Sequence, residues 1–350
     1  MKTISKIVFT IIFFLLASSF IIAQETPELN WKIGGTVQAM ASYAQTNSDT
    51  AQIGFGLRRV RLKTSFSYGK VSAFIQYGAI ADRILDARMT FKFSKVANVR
   101  VGRFVVAGVR AGGLTSHTKL DIVERPMSAQ MWALNALGSG DYRDYGVAFM
   151  GNVGDFGYNL TLANGKGLNK IKIEGTTVGV GTGNILATHL KGGGTLNQSV
   201  SISGLVNYKP KAVKGLEVGG YYGMGNAYFH DYSSYNAYVY WEPKPIRIKA
   251  EIISVTDKNG TTDVSSLGYY IFGAYGFADN WEALARYENY DPTGTFLLDD
   301  AQTLITVGAR YALFPEKLTA SKITVAYVMH GEEGDAIDND VFYVMFQTAF

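Results

Sequence analysis

Arg59, Arg61 and Lys63 stand at alternate positions in one short stretch, Leu57 to Lys63. In an extended strand that spacing puts all three on one face. A guanidinium holds phosphate or carboxylate through two parallel N–H groups. A ladder of Arg and Lys along an aqueous passage is a usual way for a pore to favour anions. The pattern recurs elsewhere. Asp86, Arg88 and Lys92 share a face, as do Arg247, Lys249 and Glu251; Arg100, Arg286 and Arg310 fall on the polar phase of their own segments. Glu217, Glu251, Glu282 and Glu288 share that phase, so several cations are expected to be cancelled in pairs. An uncancelled remainder would select anions; full cancellation would leave only a transverse field.

Other chemistries find little footing. His117, His189, His230 and His330 fall in or beside expected loops, and none lies in a Ser-centred motif. A nucleophile–His–acid grouping is therefore not expected, each His reads as a surface loop residue, and the chain does not read as an enzyme. Asp335, Asp338 and Asp340 could offer oxygens to a hard cation, but solvated loop acids are the simpler reading. The Gly-rich stretch 178–183 is not followed by Lys-Ser/Thr and a helix, so no nucleotide loop is present. Cys is absent, which removes disulfides, thiolate ligands and Cys nucleophiles. No cofactor, metal or nucleic-acid partner is expected.

The cations need walls to stand on, and the end of the chain indicates what kind. In Val341 to Phe350, Phe342, Val344, Phe346 and Phe350 share one face, while Tyr343, Met345 and Gln347 share the other. A strand closing on a terminal Phe fits the last strand of a bacterial outer-membrane β-barrel. The start agrees. Lys2 and Lys6 precede an apolar run from Ile7 to Ile22, and Ala23-Gln24 is a plausible cleavage point. Residues 1–23 are expected to be a signal peptide and 24–350 the barrel. No later run approaches the ~18 apolar residues of a membrane helix. The 39 Gly, 22 Tyr and 20 Phe against 7 Pro suit barrel walls and their aromatic girdles. From 33 Lys and Arg, removing Lys2 and Lys6 leaves 31 against 29 acids, so placement matters more than net charge.

Period-two segments recur through 24–350 and predict about sixteen strands, near 31–43, 55–68, 70–78, 84–94, 98–105, 143–152, 155–164, 199–208, 215–225, 236–242, 246–256, 266–276, 281–290, 302–311, 322–330 and 340–350. Tight connections alternate with long ones at 44–53, 106–142, 165–198, 226–235, 257–265, 291–301 and 331–339; only 78–83 breaks the rule. Short periplasmic turns and long extracellular loops are the outer-membrane pattern. The sheet must close, because lipid offers no partner for an open backbone edge, and sixteen strands enclose more than their own side chains fill. Apolar residues should then face lipid, including Leu85, Ala87, Met89, Phe91 and Phe93 on the fourth strand. Arg103 is out of phase; facing lipid would cost ~2–4 kcal/mol, so a bulge at Gly102 is expected to turn it inward. The 106–142 connection carries Arg110, Lys119 and Arg125 beside Met127, Met131 and Trp132. Folding inward as a constriction would bury those apolar residues; a surface flap with a short helix near 126–137 is the alternative.

Several stretches, in order, resemble the phosphate-selective porin O and P family: Leu57 to Leu62, Val99-Arg-Val-Gly-Arg-Phe104, Val123-Glu-Arg-Pro126, Arg143-Asp-Tyr-Gly-Val147, Tyr158 to Gly167, Ala285-Arg-Tyr-Glu-Asn-Tyr-Asp291, and the final Phe350. The resemblance implies a sixteen-stranded homotrimeric porin whose members pass phosphate or polyphosphate along an arginine ladder, with Arg59, Arg61 and Lys63 at its start. Two departures are visible. Val105-Val-Ala-Gly lacks the family's Lys and Pro-Phe, and the 165–198 insert matches nothing in it. The competing function is a structural or partner-binding barrel, such as an adhesin or secretion component, with a narrow or plugged lumen.

Overall fold

The computed structural model describes residues 27–45, 52–137, 140–165, 200–227, 230–259, 262–294, 300–332 and 339–350. The expected leader, nearly all of the 165–198 insert, His189, Asp335 and Asp338 lie outside them. Sixteen strands form one closed antiparallel barrel, each pairing with its chain neighbours. They are β1 Leu29–Ala44, β2 Gln52–Tyr68, β3 Val71–Gly78, β4 Arg83–Lys92, β5 Asn98–Val105, β6 Arg143–Val153, β7 Phe156–Ala163, β8 Ser201–Tyr208, β9 Leu216–Ala227, β10 His230–Trp241, β11 Ile246–Asn259, β12 Thr262–Ala278, β13 Trp281–Asp291, β14 Gln302–Ala312, β15 Ser321–Glu332 and β16 Val341–Ala349.

β16 closes on β1 from Thr36↔Ala349 to Ala44↔Val341. Beyond it, Gly35 N–H donates to the Phe350 carbonyl at 2.9 Å and Phe350 N–H to the Gly35 carbonyl at 3.2 Å. No edge is left at the seam, as a sheet in lipid requires.

The burial pattern is that of a soluble protein turned inside out. On β11, Ile246, Ile248 and Ile252 are exposed while Lys249 and Glu251 are buried. On β13, Trp281 and Tyr287 face out while Glu282, Arg286 and Glu288 face in. At the turn end, Trp31 stacks on Phe66, Phe156 packs on Tyr208, and Trp281 packs on Phe277 and Tyr311. Such an aromatic girdle suits an interface between hydrocarbon and water.

Two expected long connections do not exist as loops. Pairing between β9 and β10 continues to Ala227↔His230, and between β11 and β12 to Asn259↔Thr262. The strands run on where the apolar alternation lapses, because beyond a lipid belt neither face needs to be apolar.

Two bulges shift the inward set. Gln38 pairs with Arg59 and Ala39 with Leu57, which leaves Arg58 as an extra residue. Gln76 pairs with Asp86 and Tyr77 with Ile84, which leaves Leu85 extra. Leu85 is therefore buried rather than outward; Ala87 and Met89 are exposed as phase requires. The expected bulge at Gly102 is absent, since β5 pairs without a break on both sides. Gly102 nonetheless has φ +112, and a Cβ there would lie 2.2 Å from the Ala87 carbonyl oxygen. Only glycine accepts that approach.

Candidate functional site

The 106–142 connection folds inside the barrel and contains the short helix. α1, Met127–Leu137, buries Ser128, Ala129, Trp132, Ala133, Ala136 and Leu137 against β10 to β13. Trp132 Nε1 donates to Ser234 Oγ at 3.2 Å, and the ring stands edge-on to Tyr221. The two alternatives read from the sequence thus combine: the helix forms, but within the lumen rather than on the surface.

Wall side chains stitch this strap in place through its backbone. Glu251 accepts the N–H groups of Arg110 and Ala111 at 2.6 and 2.8 Å, and Glu288 accepts that of Met127 at 2.6 Å. Gln38, Gln347, Lys322 and Arg286 donate to the carbonyls of His117, Thr118, Leu120 and Glu124. An irregular segment away from bulk water needs such partners. At its return, Tyr142 adopts φ +63 and packs between Arg125 and Trp132. Burial raises its hydroxyl to about 12.

The strap divides the inward cations into two groups. Against the strap they are paired. Arg247 bonds Glu282 and Asp121, Lys249 bonds Asp121 and Glu242, Arg310 bonds Glu282, and Arg286 bonds Glu288. Burial alone would raise the Asp121 carboxyl, but Lys249 and Arg247 outweigh it and hold it well below the usual carboxylate range. Arg110 is paired with Glu217 and lies over Tyr240.

The opposite half stays open as a cavity of about 680 Å³. Arg59, Arg61, Lys63, Arg88 and Arg100 line it, joined by Arg58, Arg83, Arg143 and, from the strap, Arg125. Among the described residues the first five have no ion pair. Their contacts are neutral: Arg59 donates to Gln38, Arg61 to His117 and Arg100 to Thr90, while Arg88 lies over the Phe74 ring. The lining carboxylates are Asp86 and Asp141. Arg143 holds Asp86 at 2.8 Å, and Arg103 and Arg83 hold Asp141 at 2.6 and 3.3 Å. Of the strap's acids, Asp141 borders this cavity while Asp121 and Glu124 do not.

Some expected residues lie elsewhere. Arg103 does not line the cavity. It is buried at the Leu85 bulge, where it donates to the Ile84 and Leu85 carbonyls and to Asp141. Lys119 is exposed and also outside the lining; of the three strap cations only Arg125 borders it, with its N–H groups on the carbonyls of Ala111, Gly112 and Thr115. Lys92 belongs to a separate basin at the turn end with Lys95, Lys211 and Asn98.

His117, read as a surface residue, is 4% exposed and lies at the cavity wall. Burial, followed by the charges of Arg61, Lys63, Arg59 and Arg125, pushes its imidazolium far below the ordinary range. No sequence motif marks it. Arg58 was hidden by the bulge, and Arg143 by its place beside the long connection. His330 lies near the end of β15, beside the expected 331–339 loop, and Asp340 accepts from Tyr327 and the His330 N–H. Among the described residues no cluster of His, Asp and Glu could hold a metal.

Solved structures share this architecture. An anion-selective porin from Comamonas acidovorans matches with TM-score 0.65 and 14% identity, covering 92% of this chain and 100% of that one. OmpF of Salmonella typhi, in complex with daunomycin, matches at 0.63 and 11%, covering 94% and 99%. The outer membrane channel DcaP of Acinetobacter baumannii matches at 0.62 and 13%, covering 94% and 100%. At such identities the likeness is one of fold. No family model and no curated protein matches the chain.

Proposed function

We propose that this chain is an outer-membrane porin that lets small hydrophilic solutes diffuse through a water-filled passage and favours anions. One observation carries the reading: the open half of the lumen is lined by Arg59, Arg61, Lys63, Arg88 and Arg100, which among the described residues have no ion pair, while the carboxylates bordering it are engaged by other arginines. Anions would gather there as counter-charge. Phosphate is the favoured solute on the motif resemblance, with Arg59, Arg61 and Lys63 as its first contacts. The same resemblance supports a homotrimer in outer-membrane lipid. The porin likeness and the apolar outer belt support that location; the 1–23 leader is consistent with it, and a mature N-terminus at Gln24 by mass spectrometry would test cleavage.

Planar-bilayer recording of the purified protein is the decisive experiment. Discrete ion steps with an anion-selective reversal potential in a KCl gradient are expected. Absence of steps would overturn the channel reading. It would favour a partner-binding barrel, a reading supported by the strap and α1 filling the β10–β13 side. Phosphate reducing chloride conductance at millimolar concentration would support the solute assignment.

A further inference from the structure

We propose that His117 is a positioning residue: a neutral acceptor that fixes the Arg61 guanidinium for anion contact without cancelling its charge. The inference rests on the anion-channel reading and adds a residue to it.

The geometry determines the proton's place. His117 Nδ1 lies 2.9 Å from Arg61 Nη1. Arginine has only donors, so Nδ1 must offer its lone pair. Nε2 then carries the hydrogen and donates to Thr36 Oγ1 at 3.2 Å. The backbone carbonyl of His117 accepts from Gln38, which also bonds Gln347. The ring is thus held from β1 and β2, and its backbone from β1.

The surroundings explain why a neutral acceptor is needed. Arg61, Arg59 and Lys63 face the ring from β2, and Arg125 faces it from the strap. Thr36 and Gln38 face it from β1; no ion pair ties Arg61 to a carboxylate among the described residues. A carboxylate in place of His117 would orient Arg61 but neutralise it. An apolar residue would keep the charge but free the side chain, which loses less entropy on binding when preorganised. The imidazole occupies one of five N–H groups and leaves the others available to a solute.

The substitutions His117→Ala, His117→Asn, His117→Gln and His117→Glu in the full chain separate the roles. Asn places an oxygen near the Nδ1 position and can still accept from Arg61; Gln reaches the Nε2 position and keeps only the Thr36 side. Reversal potentials in a KCl gradient should show H117N near the parent. H117A and H117Q keep the Arg61 charge but free its side chain, so they should lower the anion-to-cation permeability ratio by less than about twofold, the ceiling set by removing one charge near ~8 Å in water, with conductance held. H117E should lower it further. Ratios equal to the parent for the Ala, Asn and Gln variants would overturn the proposal, and rescue by Gln but not Asn would assign His117 a purely structural role toward Thr36. A parent without selectivity would instead defeat the anion reading. A second readout does not depend on conduction. In ¹⁵N-histidine-labelled protein, the resonance lost in H117N should report Nε2–H and a bare Nδ1 at pH 7. The opposite tautomer or a protonated ring would refute the assignment.

Discussion

Replacing Asp121 by Asn tests the strap and the charge division together. Asp121 Oδ1 accepts from Arg247 at 2.5 Å and from Lys249 at 3.1 Å, and Oδ2 accepts from Lys249 at 2.9 Å. Its side chain is 16% exposed, with Arg247 at 15% and Lys249 at 6%, so solvent screens the group little. Removing one partner of a buried pair typically costs ~3–5 kcal/mol. Here the loss should be smaller, because Arg247 keeps Glu282 and Lys249 keeps Glu242 at 3.0 Å. About 2–3 kcal/mol is expected, or a 30- to 150-fold rise in local opening of the strap around residue 121. Hydrogen exchange by mass spectrometry would read it as faster exchange in peptides covering 117–125, with barrel strands unchanged. The electrical sign is equally specific. One negative charge leaves the lumen and two cations lose a partner, so anion preference should rise. Unchanged exchange together with a shift toward cations would refute the reasoning.

Neutralising Arg59, Arg61 and Lys63 together by Gln should reduce the anion-to-cation permeability ratio about tenfold, from ~0.5 kcal/mol per charge near 8 Å in water, as read from reversal potentials. Arg310→Gln, which removes a cation already paired with Glu282, should shift selectivity much less and instead lower the temperature at which the barrel loses its gel mobility in detergent. Acidification should destabilise the strap through His117. Its folded pKa lies below the unfolded value, so the unfolded state binds the extra proton, and stability falls as pH drops below ~6.5 by up to ~1.4 kcal/mol per unit; thermal melts between pH 7 and 5 should show this, and H117N should lose it. Gly102→Ala should impair barrel folding by more than ~1–3 kcal/mol, since φ strain adds to a carbonyl clash, visible as a lower refolded fraction.

The barrel was legible because lipid and water on opposite faces force alternation, and the strands carry it wherever no bulge interrupts them. Legibility failed wherever that constraint relaxes. Above the apolar belt, Ser233 and Ser234 or Thr262 and Asp263 have no phase, so the extensions of β10 and β12 looked like loops. Bulges break the count invisibly, and Leu85 and Arg58 each required pairing partners to be known. The ladder Arg59, Arg61 and Lys63 could be read from spacing alone. That Arg247, Lys249, Arg286 and Arg310 would be paired could only be anticipated in part, through Glu282 and Glu288; Asp121 reaches the wall from a segment with no periodicity. His117 was unreadable for the same reason, since its role depends on three elements distant in sequence.

The seam between β1 and β16 constrains how the molecule can assemble. Gln38 bonds Gln347 across 309 positions, and the whole Thr36–Ala44 edge waits for Val341–Ala349. Hairpins can form locally and early, but closing so long a loop has a large entropic penalty and gains nothing until the two ends meet. A sheet of fifteen strands would still present two unpaired margins to hydrocarbon. Closure should therefore be the committing step of folding, and chains lacking β16 should remain insertion-incompetent however many hairpins they have formed. The strap adds a second condition, because Lys322 and Gln347 donate to it from the last two strands. The passage acquires its final cross-section only when the ring is complete.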